Sequence, residues 1–327
     1  MKLVTFLTLN GPRLGALARA GKILDLAAAA TLTGRPTRGL TSMLELIETA
    51  DPALEEVQRL LSQCPEEALH DRDAVRLLAP LPAPPRLRDC SLFLEHMENA
   101  LERWARNLAA QEPDPEAAYD KLVASGKFRL APVFREQVIF YNADHLSVCG
   151  PDQDILWPAD STYADFELEW ACVLRGTQVA CNPTEARQAI FGYTIYNDWS
   201  ARDLQLRFMQ ANLGPSGGKD FALSNTLGPC VVTADELVDP YRLKMTARVN
   251  GEIWTEGSTQ SMHHHFEDAI AQFSRYEPLR PGEVLGSGTV RNGCGYEQGR
   301  QLGDGDLVEL EVEGIGTLRN RVRFQQS

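Results

Sequence analysis

The sequence lacks three features that would place it in large classes of protein. Its seven cysteines are an odd number, and no two stand at Cys-x-x-Cys spacing, which argues against a disulfide framework and a structural zinc site. Acidic residues outnumber basic ones by 45 to 32, and the formal net charge of −13 argues against a nucleic-acid surface. We therefore expect no nucleic-acid partner.

Long apolar runs are also missing. The first residues, MKLVTFLTLNGP, contain one lysine and an apolar stretch that ends at Asn10-Gly11, which is too short for the core of a signal peptide. The longest later stretch, ILDLAAAATL, contains Asp25 and has about half of the ~20 residues that a membrane span requires. Together with the unpaired cysteines, this predicts a cytoplasmic protein with no membrane partner.

Prolines mark the most distinct break in the chain. Four of them fall within LLAPLPAPPRLRD, and such a run fits neither a helix interior nor a central strand. We therefore predict a domain boundary near residue 85. Residues 1–85 would form a small β-rich domain that starts with a hairpin, because Asn10-Gly11 tolerates the positive φ angles of a tight turn.

Residues 86–327 predict a larger α+β domain with much antiparallel sheet. Strand-like segments dominate from Pro132 onward. Apolar spacing predicts helices over 95–110 and 266–275. The charged segment 111–125 contains prolines and is predicted to be a surface loop.

The segment FELEW contains the first candidate site. On a strand, Glu167 and Glu169 would share one face with Cα atoms roughly 6–7 Å apart, an arrangement that suits a hard cation. A solvated strand edge is the simpler alternative. The apolar run 171–174 that follows favours the cation, because unpaired charges beside a buried strand are costly.

The segment NDWSARDLQ, residues 197–205, is the second candidate site. It follows an apolar strand, so Asp198 would lie where the strand gives way to a turn or helix. On spacing alone, a helix cap by Asp198 or Ser200 explains the pattern as well as metal binding does.

Three weaker candidates remain. Lys219 follows a Gly-rich loop in LGPSGGKDF, but the spacing does not match a phosphate-binding loop, so no nucleotide site is expected. Asp89 and His96, seven residues apart, would span a strand-to-helix turn, although an isolated histidine is more often structural. The run 263–265 is three histidines whose side chains point in different directions, so we assign it to structure or surface.

In sequence order, these segments resemble the fumarylacetoacetate hydrolase family. The marks are FELEW, NDWSARDLQ, LGPSGGKDF, LRPGEVLGSGTV followed by GCGYE, and VELEVEGIGTLRNRV. The resemblance covers most of the chain from about Asp89 to Phe324 and extends to the N-terminal hairpin. It implies a mixed, largely antiparallel β-roll or β-sandwich catalytic domain, a homodimer, and a 2-oxo or 1,3-dicarbonyl acid substrate from aromatic compound catabolism.

The resemblance also implies roles for matching residues. A divalent metal, Mg²⁺ or alternatively Mn²⁺ or Ca²⁺, would bind Glu167, Glu169, Asp198 and Asp89. The residues that would activate water are His96 and Glu297. Those that would surround the reacting carbonyl are Arg202, Gln205 and Lys219. Thr289 would contact the substrate carboxylate.

Three positions depart from the family's pattern. Ser91 and Met209 stand where the naming hydrolase has substrate-contacting tyrosines, which counts against fumarylacetoacetate itself as the substrate. Asn99 replaces a glutamate that is usual in the acylpyruvase branch, which indicates Glu297 as the partner of His96.

The predicted function is metal-dependent hydrolysis of a C–C bond in a 1,3-dicarbonyl acid. The alternatives are decarboxylation of an oxaloacetate-like acid, or isomerisation or hydration at the same site. A catalytically silent relative is disfavoured because every implied metal ligand is present.

Overall fold

The computed structural model describes residues 1–177 and 179–325, which form a mixed α+β fold. The strands are β1 (Lys2–Thr8), β2 (Gly11–Leu17), β3 (Ile23–Asp25), β4 (Leu69–His70), β5 (Arg76–Leu77), β6 (Leu87–Cys90), β7 (Phe140–Ala143), β8 (Val148–Cys149), β9 (Asp154–Trp157), β10 (Ala164–Asp165), β11 (Leu168–Leu174), β12 (Ile190–Asp198), β13 (Ser200–Ala201), β14 (Asn225–Thr233), β15 (Lys244–Val249), β16 (Glu252–Ser258), β17 (Val284–Gly286), β18 (Leu307–Val312) and β19 (Gly316–Phe324). The helices are α1 (Leu26–Leu32), α2 (Met43–Thr49), α3 (Asp51–Gln63), α4 (Leu94–Ala109), α5 (Pro115–Ala124), α6 (Val133–Glu136), α7 (Pro183–Gln188), α8 (Arg202–Met209), α9 (Phe266–Phe273) and α10 (Gly295–Gln298).

Most strands join one large mixed sheet, in the order β4-β3-β2-β1-β14-β12-β11-β17-β6-β7, with β5 beside β1 and β8 beside β14. Its neighbours are antiparallel except for the parallel pairs β17–β6 and β14–β8. A second sheet has the order β16-β15-β18-β19-β9. The predicted α+β class with a large, mainly antiparallel sheet is therefore confirmed.

The first strands are part of the main sheet. The β1–β2 hairpin forms as predicted, with Gly11 at a φ of 102°. Strand β1 also pairs with β14, where Leu3 lies opposite Val231, and both side chains belong to one hydrophobic cluster. Residues 1–85 thus share backbone hydrogen bonds and core packing with the rest of the chain. Their standing as a separate domain stays a prediction.

The helices predicted over 95–110 and 266–275 correspond to α4 and α9. The surface loop predicted over 111–125 is wrong, because this segment contains α5. The Asp114 side chain accepts a hydrogen bond from the backbone N–H of Ala117, and Pro115 occupies the first helical position. Proline is compatible with that position. Among the described residues, no helix has both the length and the hydrophobicity needed to cross a bilayer.

Strands β11 and β12 form the centre of the main sheet, and every residue of both is buried. A strand covered on both faces needs a nearly continuous apolar sequence, which explains why alternation is weak in LEWACVL and IFGYTI. Three strands of this sheet nevertheless carry a buried carboxylate: Asp89 on β6, Glu169 on β11 and Asp198 at the end of β12. Strand β17 lies between β11 and β6 and so between two of these carboxylates.

Candidate active site

The three strand carboxylates converge on one point. Asp89, Glu169 and Asp198 each offer an oxygen, these oxygens all lie within 4.8 Å of one another, and all three residues are buried. Clustered carboxylate oxygens are the ligands preferred by hard divalent cations. The sheet therefore assembles, from three separate segments, a donor set that fits such a cation.

Two glycines near the end of β17 make the convergence possible. A Cβ atom on Gly286 would lie 2.8 Å from the Asp89 Oδ1 atom and 2.8 Å from the Tyr196 ring, so only glycine leaves this space open. The Gly288 N–H donates to Glu169 Oε2 at 2.9 Å and to Asp89 Oδ1 at 3.2 Å. The Thr289 hydroxyl donates to Glu169 Oε1 at 3.3 Å.

Glu167 lies beside this set but is bound by cations of the protein itself. One of its oxygens accepts a hydrogen bond from Lys219, and the other lies 2.8 Å from Arg202 Nη1. Burial alone would raise the pKa of Glu167, but Lys219 and Arg202 outweigh that effect and hold the pKa below its usual value. Its predicted role as a metal ligand stays a prediction.

Burial raises the pKa values of the other three carboxylates. Burial raises the pKa of Asp198 to about 8, although Lys219 Nζ lies 2.6 Å from Asp198 Oδ2. Burial also raises the pKa of Asp89 to about 6. For Glu169, burial and then the charge of Asp89 raise the pKa well above its usual value. A bound cation would favour the ionised form of these carboxylates.

One oxygen of the site has no partner within the protein. Among the described residues, Asp198 Oδ1 is buried and accepts no hydrogen bond, while Oδ2 accepts from Tyr141 and Lys219. A buried carboxylate oxygen without a partner is costly. The free oxygen and the clustering of the three carboxylates both fit a divalent metal ion.

His96 and Glu297 form the pair expected from the resemblance. His96 Nδ1 lies 2.8 Å from Glu297 Oε2, and His96 Nε2 lies 3.8 Å from Glu167 Oε1. Glu297 also accepts hydrogen bonds from the Asn292 N–H, the Asn99 amide and the Cys294 thiol. Burial lowers the pKa of His96, but Glu297 outweighs this and leaves the pKa raised.

A cavity of about 260 Å³ brings most predicted residues together. The predicted site residues that line it are Asp89, Ser91, His96, Glu167, Glu169, Gln205, Met209, Lys219 and Thr289. Arg202 lies behind this wall, where Nε donates to Asp165 Oδ2 at 2.8 Å and Nη1 donates to Gln205 Oε1 at 3.0 Å. It contacts the carboxylates and Gln205, so its predicted contact with a reacting carbonyl stays a prediction.

Asp165 is a residue of this region that sequence reasoning missed. It is fully buried, and besides Arg202 it accepts hydrogen bonds from the N–H groups of Gly295 at 2.7 Å and Tyr296 at 3.0 Å. These N–H groups begin α10, which bears Glu297. Asp165 extends the alternation of Glu167 and Glu169 by one step, and this signal could have revealed it.

The start of α8 and the three consecutive histidines are the two places where the sequence offered a structural explanation. Helix α8 begins at Arg202 without a side-chain cap, so neither Asp198 nor Ser200 caps it. Of the three consecutive histidines, His264 Nε2 lies 2.8 Å from the Phe134 carbonyl oxygen, and His265 stacks on Tyr241. None of the three belongs to a potential metal cluster among the described residues.

Comparisons with known proteins show which family the chain resembles in sequence. The family model "Fumarylacetoacetate (FAA) hydrolase C-terminal" matches residues 116–323. Oxaloacetate tautomerase FAHD2A, mitochondrial, of Homo sapiens is 34% identical over 254 residues, which cover 70% of this chain and 78% of that protein. The chain belongs to the fumarylacetoacetate hydrolase family. Asp89 and His96 precede the range that the family model matches.

Two solved structures extend the likeness in fold to nearly the whole chain. Fumarylacetoacetate hydrolase from psychrophilic Exiguobacterium antarcticum is 26% identical, with a TM-score of 0.71 over 99% of this chain and 100% of that one. A 5-carboxymethyl-2-hydroxymuconate delta-isomerase from Mycobacterium smegmatis has the same coverage, a TM-score of 0.67 and 22% identity, and shows the fold alone.

Family membership indicates that the protein is an enzyme. Members of the family generally depend on a divalent metal, and the acidic cluster could bind one. It does not select one reaction, since the names of these relatives include a hydrolase, an isomerase and a tautomerase.

We expect Gly286→Ala to weaken Mg²⁺ binding by about tenfold or more. A loss of this size is typical when the residues that surround the ligands of a metal site are altered. The added methyl group would displace the Asp89 carboxylate, whose Oδ1 lies 2.8 Å from the new Cβ. Isothermal titration calorimetry with Mg²⁺ would measure the change. The Tyr196 contact should also reduce the free energy of unfolding by about 1–3 kcal/mol.

Gly303→Ala is a matched control, because Gly303 is exposed and its Cβ would meet only Asp306 Oδ2, at 3.7 Å. Equal Mg²⁺ affinity of folded Gly286→Ala and the wild type would show that these carboxylates do not hold the metal.

Proposed function

We propose that this protein is a divalent-metal-dependent hydrolase that cleaves the C–C bond between the carbonyl groups of an acylpyruvate-like 1,3-dicarbonyl acid. The observation that carries the proposal is the buried His96–Glu297 pair, 2.8 Å apart, because His96 lines the same cavity as Asp89 and Glu169 while Glu297 holds it from behind the cavity wall. Hydrolysis requires a group that activates water, whereas decarboxylation requires only stabilisation of the resulting enolate.

Asp89, Glu169 and Asp198 would hold Mg²⁺, or Mn²⁺ or Ca²⁺, and Glu167 could join them if Lys219 turned toward substrate. When bound, the cation supplies Lewis-acid polarisation of the substrate's oxygens and offsets the charge that develops during bond cleavage. The homodimer and the cytoplasmic location stay predictions.

His96 takes a proton from the attacking water. Its Nδ1–H donates to Glu297, which leaves Nε2 as the acceptor and keeps one tautomer in place. The hydroxide adds to the distal carbonyl carbon, and the C–C bond to the central CH₂ carbon then breaks. That carbon keeps the electron pair and is reprotonated, so the products are pyruvate and the carboxylate of the acyl group. Such proton transfer typically contributes about 10²–10⁴ in rate.

Two other side chains can bind the substrate's oxygens. Burial lowers the pKa of Lys219, but Asp198 and Glu167 outweigh this and raise it, so the side chain stays an ammonium donor. The Gln205 carbonyl oxygen accepts from Arg202 at 3.0 Å, so the Gln205 amide N–H₂ remains to donate into the cavity. Donors fixed before the reaction stabilise an oxyanion effectively.

A second candidate function is tautomerisation of oxaloacetate, which is favoured by the 34% identity to a protein with that name. In that reaction His96 would move a proton between carbon and oxygen, and no water would be consumed.

The deciding experiment is to follow the ultraviolet absorbance of an enolised acylpyruvate mixed with the purified protein and Mg²⁺. We expect the absorbance to decay with formation of pyruvate and a free carboxylic acid, and a chelator to stop the decay. If the acylpyruvate persists while oxaloacetate interconverts faster between its keto and enol forms, the tautomerase is the correct assignment.

Substitutions should separate water activation from metal binding. His96→Asn should lower kcat by about 10²–10⁴ with little change in Mg²⁺ affinity, because His96 contacts Glu297 rather than the clustered oxygens. Glu169→Gln should weaken Mg²⁺ binding by more than about tenfold. Kinetics and calorimetry on the same preparations would measure both effects. The control is His263→Asn, at an exposed histidine outside the cavity. Loss of metal binding in His96→Asn would refute this division of roles.

The pH dependence should report the His96–Glu297 pair. A general base must be neutral, so kcat/KM should fall as pH drops through the raised pKa of His96. That pKa lies above the usual value of about 6.5. Glu297→Gln removes the charge that raises it, so burial dominates and the acidic limb should move down by about one pH unit or more.

Glu98→Gln, at an exposed glutamate of α4 two residues after His96, should leave the limb in place. An unchanged limb in Glu297→Gln would contradict the assignment of His96 as the base.

A further inference from the structure

The cavity has two chemically different ends. Its carboxylates and ammonium group are deep, since Glu169 is 0% exposed, Lys219 2% and Asp89 8%. Other lining residues are apolar, and most of them are partly exposed, as is Phe140 at 39%. The apolar lining consists of Phe93, Met97, Phe134, Ile139, Phe140 and Met209. The charged groups are therefore deep, whereas most of the apolar groups are partly exposed, as are the polar residues Ser91 and Gln205.

This apolar end is built from four separate segments. Met97 follows His96 on α4, Phe134 belongs to α6, and Phe140 begins β7. Met209 lies one helical turn beyond Gln205 on α8, so both side chains face the cavity. Because the four segments surround one space, a group placed there contacts apolar atoms on several sides.

No free cation is available at the apolar end among the described residues. The basic residues that line the cavity are Lys219 and His96, which are paired with carboxylates at the deep end. Arg135, next to Phe134, pairs with Glu98. Arg207 is two residues from Gln205 on α8, which places it on the opposite side of the helix. A carboxylate carried to this end would lie against apolar side chains, with no free cation of the cavity lining to pair with it.

We propose that the group attached to the distal carbonyl of the substrate is an uncharged alkyl or aryl group, and that the apolar end of the cavity selects it over a group with a second carboxylate. This inference rests on the proposed function and narrows its substrate class. Met209 is the residue best placed to set the preference, because it enters the cavity on the same face of α8 as Gln205.

Binding of unreactive 2-oxo acids tests the inference without turnover. The matched probes are 2-oxohexanoate and 2-oxoadipate, which differ by a terminal methyl in place of a carboxylate, and pyruvate is the short reference. Calorimetry on the Mg²⁺-loaded enzyme should show 2-oxohexanoate binding more tightly than pyruvate by up to about fourfold per added methylene. The affinity for 2-oxoadipate should be at least about tenfold below that for 2-oxohexanoate. Equal affinities for the pair, a preference for 2-oxoadipate, or no binding of 2-oxohexanoate would overturn the inference.

A charge placed in the apolar end should change the preference. Met209→Arg should bind 2-oxoadipate more tightly than 2-oxohexanoate, because its guanidinium can pair with the terminal carboxylate. The control is Leu213→Arg, which adds the same charge at a nearby residue that is 89% exposed and outside the cavity; it should keep the wild-type order. If Met209→Arg does not fold, the wild-type series decides alone.

Turnover then distinguishes the two proposals. If affinity for the 2-oxo acids rises with chain length but no acylpyruvate is cleaved, the selectivity of the apolar end is supported and the hydrolase is refuted. Equal kcat/KM for acylpyruvates with alkyl and carboxylate-bearing acyl groups would support the hydrolase and refute the selectivity.

Discussion

The accumulation of negative charge inside the main sheet is the constraint on which the rest of the site depends. Asp89, Glu167, Glu169 and Asp198 are all buried, and such burial is tolerated only with compensating cations and hydrogen bonds. Lys219 and Arg202 compensate the negative charge of Glu167 and part of the charge of Asp198. Burial, and after it the charge of neighbouring carboxylates, raises the pKa values of Glu169 and Asp198. A further cation could bind at this cluster and favour the ionised form of its carboxylates.

A network of hydrogen bonds joins the two halves of the site. Asp165 accepts from Arg202, which contacts Glu167, and also from the N–H groups that begin α10. Arg103 of α4 donates to the Glu297 carbonyl oxygen at 2.9 Å. The helix that bears His96 and the turn that bears Glu297 are thus held both to each other and to the carboxylate cluster. Their relative positions follow from side-chain bonds as well as from the sheet.

Local patterns in the sequence were sufficient for some of these residues. Alternation located Glu167 and Glu169, and the end of an apolar strand located Asp198. Spacing could not reveal that Asp89 lies near Glu169. The strand that lies between theirs, β17, comes nearly 200 positions after Asp89 in the chain. The partnership of His96 with Glu297 came only with the family resemblance. Helix α5 was missed because the sequence alone does not distinguish a proline at the first helical position from a proline that breaks a helix.

The central order β11-β17-β6 also determines when the site can exist during synthesis. His96 meets a partner 201 positions further along the chain, a length that a ribosome makes in about 10–40 s at roughly 5–20 residues per second. Until β17 emerges, β6 has no neighbour on the side that faces β11. Asp89 and Glu169 can therefore approach each other across β17 only after that strand has been made, and His96 can meet its partner only after residue 297 has been made.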